Sequence, residues 1–164
     1  MNFHTITTYN YPKVAQIYQA GIDSENATFE VNVPTYQEWD QKHLPFGRIA
    51  LFDKNKMVGW ASLSRVSQRE VYNGVAEVSI YIAPNQQRKG IGTLLLQKLI
   101  EESESNGIWT LQCGIMRENK ASIGLHKKCG FREIGYREKI AELHGVWRDN
   151  ILMERRSKKI GRSS

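Results

Sequence analysis

Residues 87–92 read Gln87-Arg88-Lys89-Gly90-Ile91-Gly92, between an alternating apolar segment at 75–82 and an amphipathic segment at 93–105. This pattern predicts a strand, a glycine-rich turn and a helix. The backbone N–H groups of such a turn gather at the positive end of the helix dipole, where they suit a pyrophosphate. The stretch therefore predicts a binding site for a phosphorylated cofactor.

The glycine spacing does not fit two common phosphate-binding motifs. A dinucleotide fingerprint needs a third glycine and an acidic residue about 20 positions further on, but Gly92 is followed by Thr93-Leu94-Leu95. A P-loop needs Gly-Lys-Ser/Thr, whereas here Lys89 precedes Gly90. Two glycines in a turn also fit a simple helix-capping loop. Other residues of the chain are needed to distinguish a cofactor site from such a loop.

Length and composition indicate one globular domain. The chain has 164 residues, of which 40% are hydrophobic and 24% charged, as in folded rather than disordered chains. No apolar run reaches membrane-spanning length, and residues 1–4 lack the features of a secretory signal. We expect a cytoplasmic protein without a membrane partner.

The cysteines and histidines suggest neither a metal site nor a disulfide framework. Cys113 and Cys129 form no Cys-x-x-Cys pair, and the four histidines lack metal-ligand spacing. We expect both thiols to be buried and reduced, and no metal to be required.

The positive charge is concentrated at the C-terminal end. The net charge is +6, and five positive residues without an acid lie in the last ten positions, so one net positive charge belongs to residues 1–154. We expect residues 1–154 to form a single domain and residues 155–164 a basic, flexible tail. Nucleic acid is not an expected partner.

The hydrophobic pattern predicts an α/β (α+β) fold. Trp39 is the expected anchor of the second helix, and the helix at 93–105 should bury Leu94, Leu95, Leu99 and Ile100. The predicted strands are 3–7, 49–53, 57–64, 71–82, 108–115, 131–139 and 149–154, and the predicted helices are 11–21, 35–44, 93–105 and 119–128.

A second motif lies at 119–131. Asn119 is a good helix N-cap, and the segment ends in Leu125-His126, three residues and then Gly130-Phe131. Together with the glycine turn, it resembles the GNAT-type N-acetyltransferases. In that superfamily the turn binds acyl-CoA, and this later helix presents a tyrosine to the leaving thiolate. His126 takes the tyrosine position here.

That histidine and several other segments resemble one branch, the phosphinothricin and methionine sulfoximine N-acetyltransferases. The resemblance implies the GNAT fold, a mixed, mostly antiparallel sheet with splayed central strands flanked by helices. It also implies direct acetyl transfer, in a ternary complex, from acetyl-CoA to the free α-amine of a small amino-acid analogue, by a homodimer. The matching segments are 17–18, 27–30, 38–39, Tyr72, 76–82, 125–126 and 145–149.

The resemblance and the chemistry of acetyl transfer assign catalytic and cofactor roles. Glu77, which points from mid-strand into the expected cleft, would accept the ammonium proton. His126 would protonate the thiolate or orient the amine. Backbone N–H groups near Ile80, Tyr81 and Ile82 would stabilise the oxyanion. The acyl-CoA site would also include Gln87, Arg88, Lys89, Gly90, Ile91, Gly92 and Thr93 around the pyrophosphate, with Asn119 and Ser122 along the pantetheine arm or near the adenylate.

The acceptor would contact Phe29, Glu30, Arg69 and Tyr72, with Arg69 holding its carboxylate. The family often carries Arg-x-Arg at this place; here Ser67 takes the first position and Arg65 lies two residues earlier, so the identity of the carboxylate clamp stays open. Trp147 and Asp149 would either close the pocket or be buried by a partner chain.

Two other functions fit the same residues. The first is a GNAT that acetylates another amine, either a polyamine or a peptide or protein N-terminus. The second is a non-catalytic acyl-CoA sensor or a nucleic-acid-binding module that uses the basic tail.

Overall fold

A mixed β-sheet organises residues 1–162, which are the residues described by the computed structural model. In this range the sheet has seven strands in the order β1-β2-β3-β4-β5-β7-β6, and every neighbouring pair is antiparallel except β4 with β5. The predicted fold class is confirmed. The strands are β1 (Asn2–Thr5), β2 (Ile49–Asp53), β3 (Lys56–Arg65), β4 (Val75–Ile82), β5 (Thr110–Met116), β6 (Arg132–Leu143) and β7 (Val146–Arg156), and the helices are α1 (Tyr11–Asp23), α2 (Tyr36–Lys42), α3 (Ile91–Ser105) and α4 (Lys120–Lys128).

The two central strands separate halfway along their length. β4 pairs with β5 only where residues 75–77 lie beside residues 110–112. Beyond this point β4 stays paired with β3, and β5 stays paired with β7. In the described part of the chain no ladder joins residues 78–82 to residues 113–116. The predicted splay is therefore present, and it leaves a gap in the middle of the sheet.

Each face of the sheet carries its own core. On one face α3 and α4 pack against residues such as Val78 and Leu63. On the other face α1 and α2 surround an aromatic cluster in which Trp39 is fully buried, as predicted. Tyr81 of β4 stacks on Trp60 and Tyr18 in this second core, with ring centroids 4.8 and 4.9 Å away.

The structure differs from the predicted element bounds at β4. The strand begins at Val75 rather than Val71, because Glu70–Tyr72 form a 3-10 turn. Gly74 ends this connection against the ring of Trp109, where a Cβ atom would lie only 1.9 Å from a ring carbon. This close approach fixes where the strand starts.

The last two strands are also longer than predicted. They form one hairpin whose turn residues His144 and Gly145 have φ values of 50° and 80°, the positive values of a tight hairpin turn. Almost every residue of β6 is exposed, so the strand lacks the apolar alternation that would have marked its full length.

The core positions of α3 differ from those predicted at one residue. Leu94 is 42% exposed, whereas Leu96 is fully buried. Leu95 and Leu96 lie four and three residues before Leu99, and so share its face of the helix, but Leu94 lies five residues before it and falls outside this stripe.

The C-terminal residues pack against the domain rather than beginning a free tail at residue 155. β7 continues through Arg156, and the guanidinium of Arg156 donates hydrogen bonds to the carbonyl oxygens of Ser157, Ile160 and Gly161. Ser157 is buried and donates through Oγ to the Glu104 carboxylate. The predicted boundary after residue 154 therefore does not match the structure as far as residue 162; residues 163–164 lie outside the described part. None of the helices in residues 1–162 is long and apolar enough to cross a bilayer.

Candidate active site

The gap between β4 and β5 holds a cavity of about 340 Å³. Its walls are the loop residues 27–30, residues 77–81 of β4 and residues 112–116 of β5. The side chains added by the neighbouring elements are Asn119, Ser122 and His126 of α4, Arg137 of β6, and Asn150 and Leu152 of β7.

Two backbone N–H groups of β4 face this gap. Ala83 donates its N–H to the Val58 carbonyl at 2.9 Å, and the β3–β4 register is regular from that point back to Ala76. Because successive N–H groups of a strand point to opposite sides, those of Val78, Ile80 and Ile82 point toward β5. The N–H of Val78 completes the parallel pairing of Glu77 with Gln112, so those of Ile80 and Ile82 face the gap. The prediction for Ile80 and Ile82 agrees with this geometry. The N–H of Tyr81 faces β3 instead, and only its side chain reaches the cavity.

Glu77 lies at the closed end of the gap, opposite Gln112 of β5. Its carboxyl group reaches solvent through the cavity, yet burial by the surrounding protein raises its pKa, an effect that the nearby Arg137 guanidinium partly offsets. A carboxylate with a raised pKa is a stronger base and is suited to taking a proton from an ammonium group.

Cys113 lines the same cavity from β5. Burial, together with the charge of Glu77, raises the pKa of Cys113 to about 12. The thiol is therefore neutral near pH 7 and a poor nucleophile. Both cysteines are free, but Cys129 is only partly buried.

His126 is 1% exposed and has one free ring nitrogen. Its Nδ1 lies 2.7 Å from the carbonyl oxygen of Ser122, which can only accept, so Nδ1 carries the proton. Nε2 is buried and has no hydrogen-bond partner in the described residues. Burial lowers the pKa of His126, and the Ser122 carbonyl offsets part of that effect. The ring is thus neutral at pH 7, with an unprotonated Nε2.

Asn119 and Ser122 line the cavity at the start of α4. Asn119 is the predicted N-cap, since its Oδ1 accepts the Ser122 N–H at 3.3 Å. Its Nδ2 donates to the carbonyl of Asn26 at 3.2 Å, which joins α4 to the loop between α1 and α2.

The glycine turn leads into α3 outside the cavity. Gly90, with φ of 77°, is the N-cap of this helix, and a Cβ atom there would meet nothing within 4 Å. The first-turn N–H groups of a helix have no partner within it, so those of Ile91, Gly92 and Thr93 are candidates for binding an anion. Gln87, Arg88 and Lys89 are exposed beside this end of the helix.

Gly92 lies where α3 packs against α4 and β4. A Cβ atom there would lie 2.8 Å from Leu125 Cδ2 and 3.0 Å from Ile82 Cδ1. The absence of a side chain at Gly92 therefore lets α3 pack closely against α4 and β4.

Two of the four predicted acceptor residues line the cavity. Phe29 and Glu30 do so from the loop between α1 and α2. Arg69 and Tyr72 lie in the connection before β4, where the guanidinium sits over the tyrosine ring at 5.4 Å from its centroid, and neither is among the residues that line the cavity. A single chain therefore brings together only Phe29 and Glu30.

The loop that carries Phe29 and Glu30 is tied to β7 by Arg148. The guanidinium donates to the Glu25 carbonyl at 2.6 Å and to Asn26 Oδ1 at 2.9 Å. It also donates to Glu118 Oε1 at 3.0 Å, and the side chain is only 14% exposed. Arg148 therefore joins the loop, β7 and the residue before Asn119.

Trp147 and Asp149 do not close the cavity in the single chain. Trp147 is 56% exposed. Asp149 accepts the N–H of Lys139 at 2.8 Å and the hydroxyl of Tyr136, and so holds a bulge in β6 between Arg137 and Ala141.

The cavity also contains polar residues that the sequence did not single out, namely Gln112, Arg137 and Asn150. Asn150 lies opposite both Met116 and Arg137 in the sheet. No motif marks these positions, and only the strand register brings them to the gap. Among residues 1–162 no group of three or more His, Cys, Asp or Glu residues could hold a metal ion.

Comparison with known proteins gives a consistent result. The model of the acetyltransferase (GNAT) family matches residues 14–131. The L-methionine sulfoximine/L-methionine sulfone acetyltransferase of Pseudomonas aeruginosa is 29% identical over 87% of each chain. The phosphinothricin N-acetyltransferase of Alcaligenes faecalis is 30% identical over 88% of this chain and 76% of its own.

Solved structures share the whole fold. A ribosomal-protein-alanine N-acetyltransferase from Brucella melitensis has a TM-score of 0.87 at 26% identity, over 96% of this chain and 100% of its own. A GNAT-superfamily phosphinothricin acetyltransferase from Sinorhizobium meliloti, in complex with AcCoA, has a TM-score of 0.85 at 24% identity, over 94% and 87%.

Proposed function

Because this chain belongs to the acetyltransferase (GNAT) family and is an acetyl-CoA-dependent N-acetyltransferase, we propose that its acceptor is the α-amine of a small amino-acid analogue. Methionine sulfoximine, methionine sulfone and phosphinothricin are the acceptors we propose, on the strength of the names of the two relatives. The observation that carries the proposal is the cavity between β4 and β5, which is lined by the Glu77 carboxylate, by the β4 residues Ile80 and Tyr81, and by His126.

We propose direct transfer in a ternary complex. The first-turn N–H groups of α3 would bind the pyrophosphate of acetyl-CoA, and the open space at Gly90 supports this fit. The N–H groups of Ile80 and Ile82 would donate to the thioester oxygen, where negative charge develops. No metal is needed for either contact.

Glu77 would prepare the nucleophile. Its raised pKa supports a role as the base that takes one proton from the acceptor ammonium. The neutral amine then attacks the acetyl carbon, and Glu77 later releases its proton to solvent through the open side of the cavity.

His126 would move the second proton. Its Nε2 would take the proton that the acceptor nitrogen must lose once it has bonded to the acetyl carbon. Because burial disfavours the charged ring, the resulting imidazolium is a stronger acid than an ordinary one. It would therefore protonate the sulfur as the carbon–sulfur bond breaks, which returns His126 to its neutral form.

We further propose a homodimer that uses the hairpin of β6 and β7. β6 is an edge strand, and the hairpin exposes a set of large apolar side chains that a second copy could cover. Light scattering on the purified protein would test this, and a strictly monomeric mass would contradict it. The exposed residues are Ile134, Tyr136, Ile140, Val146 and Trp147.

We place this activity in the cytoplasm, where acetyl-CoA is available, and assign it the detoxification of amino-acid analogues. Acetylation removes the positive charge of the amine. The acetylated analogue then no longer resembles the amino acid that it mimics.

A second acceptor class is favoured by one comparison. The likeness to a ribosomal-protein-alanine N-acetyltransferase supports a peptide or protein N-terminus as the alternative. Thiol release from acetyl-CoA would separate the two classes when methionine sulfoximine, methionine sulfone, phosphinothricin, spermidine and an alanine-initiated peptide are compared. Turnover limited to the amino-acid analogues supports the proposal, whereas turnover limited to the peptide or the polyamine contradicts it.

A further inference from the structure

Arg137 gives the cavity its positive charge. Among residues 1–162 it is the one lysine or arginine that lines the cavity, and it faces the same space as Glu30 and Glu77. The cavity therefore carries two carboxylates and one guanidinium.

The position of Arg137 is fixed by the sheet. It lies opposite Asn150 of β7 and directly before the bulge that Asp149 holds at Lys139. A bulge redirects the side chains beside it, and this one comes immediately after the residue that reaches the cavity.

The guanidinium of Arg137 is not used by the fold. In the described part of the chain it has no hydrogen bond and no ion pair, although its charge acts to lower the pKa of Glu77. The other arginines of this region are engaged: Arg148 binds the loop between α1 and α2, Arg117 lies 3.7 Å from Asp149, and Arg132 lies 2.8 Å from Glu154.

An α-amino acid needs this combination of groups. Its ammonium and carboxylate are attached to the same carbon. A protein site for it therefore needs an anionic side chain and a cationic side chain that face the same space. Glu77 and Arg137 line the same cavity, and an arginine can bind a carboxylate through two parallel hydrogen bonds. Arg69, in contrast, lies over Tyr72 outside the cavity lining.

We propose that Arg137 binds the carboxylate of the acceptor and thereby selects amino acids over simple amines. This assignment rests on the proposed function and replaces Arg69 and Arg65 as the carboxylate clamp. With the carboxylate on Arg137, the α-amine lies toward Glu77 and the thioester.

The test compares two acceptors that differ only in the carboxylate. L-methionine sulfone carries it, and 3-(methylsulfonyl)propylamine has a hydrogen in its place. For Arg137→Ala we expect KM for methionine sulfone to rise about 10- to 100-fold, the usual value of a charged hydrogen-bonded contact. The KM values for acetyl-CoA and for the amine should stay within about twofold, because those ligands lack the contact.

Two further variants control for charge and for general effects on the strand. Arg137→Lys keeps the charge but loses the paired hydrogen bonds, so its KM for methionine sulfone should lie between those of wild type and Arg137→Ala. Arg132→Ala removes an exposed arginine from the same strand, and its KM values for both acceptors should stay within about twofold of those of wild type. Because the charge of Arg137 also lowers the pKa of Glu77, each variant is measured at a pH where its own rate no longer changes with pH.

Several outcomes would overturn the assignment. An equal rise of KM for both acceptors in Arg137→Ala would mean that Arg137 acts through Glu77 or through the fold rather than on a carboxylate. An unchanged KM in Arg137→Ala, or a selective rise in Arg69→Ala instead, would also contradict it, while the proposed function would stand because the wild type acetylates methionine sulfone. If the wild type acetylates only spermidine or the peptide, the proposed function and the Arg137 assignment fail together.

Discussion

The Nδ1 atom of His126 lies 2.7 Å from the carbonyl oxygen of Ser122, one helical turn earlier in α4. This contact uses the Nδ1 proton within the helix and leaves Nε2 as the nitrogen without a proton. It therefore determines which side of the ring can take part in proton transfer.

We expect His126→Ala to lower kcat by about 10²- to 10⁴-fold, the usual contribution of a positioned acid or base. The KM for acetyl-CoA should change little, because in the proposed complex the first turn of α3 binds the pyrophosphate. Steady-state kinetics would measure both values. Since the pKa of His126 is lowered from 6.5 by burial, its neutral form persists below pH 6.5. The role would be contradicted if the wild-type rate fell on acidification with a midpoint above pH 6.5 and the variant lacked this fall.

We expect Glu77→Gln to move the acid limb of the pH–rate profile from the pKa of Glu77 to the higher pKa of the acceptor amine. The pKa of Glu77 is raised above 4.5 by burial, so the carboxylate base forms only above that raised value, and wild-type activity falls as the pH drops through it. The variant lacks the base and should acetylate only amine that is already neutral. Its rate should therefore rise about tenfold per pH unit up to the amine pKa.

A pH series of kcat/KM from pH 5 to 10 would check this, with Glu77→Asp as the control that keeps a carboxylate. Equal profiles for Glu77→Gln and wild type would exclude Glu77 as the base.

We expect Gly92→Ala to destabilise the protein by about 1–3 kcal/mol, because the new Cβ would overlap Leu125 and Ile82 in a closely packed region. Gly124→Ala is the matched control. It lies in α4, where a Cβ would meet nothing within 4 Å, and should stabilise by up to about 1 kcal/mol through helix propensity. Urea unfolding of the three proteins would measure both effects. Equal stability for Gly92→Ala and wild type would show that α3 and α4 can move apart without cost.

We expect Arg148→Ala to loosen the loop between α1 and α2 and to raise KM for the acceptor about tenfold, since charged hydrogen bonds to Glu25 and Asn26 are lost. Amide hydrogen exchange in residues 24–34 should become faster while exchange in α3 stays unchanged. Arg117→Ala, an exposed arginine that does not contact this loop, should leave loop exchange as in wild type. Unaltered loop exchange in Arg148→Ala would contradict the positioning role.

Local motifs predicted the family and most of the central fold. The turn at 87–92 and the segment at 125–131 identified a GNAT acetyltransferase, and the family match confirms it. These motifs could be read because a left-handed glycine and a helix cap each constrain a few adjacent residues. Glu77 and His126, assigned from the resemblance and from the chemistry of acetyl transfer, both line the cavity, and their catalytic roles stay predictions.

The acceptor side could not be read in the same way. Arg137 and Asn150 reach the cavity through strand pairing over a long sequence separation and through a bulge in β6. No short pattern records such a register, and the exposed residues of β6 conceal the strand period. Arg69 was selected by analogy, and packing over Tyr72 places it elsewhere in this chain.

The splay of β4 from β5 leaves the inner edge of a strand without its hydrogen-bonding partner. Inside a protein such an edge is costly, and acetyl-CoA carries amide groups in its pantetheine arm that can pair with it. The folded state is therefore stabilised in proportion to the logarithm of the acetyl-CoA concentration once that concentration exceeds the dissociation constant. We therefore expect the resistance of this enzyme to heat and to proteolysis to increase with the acetyl-CoA concentration.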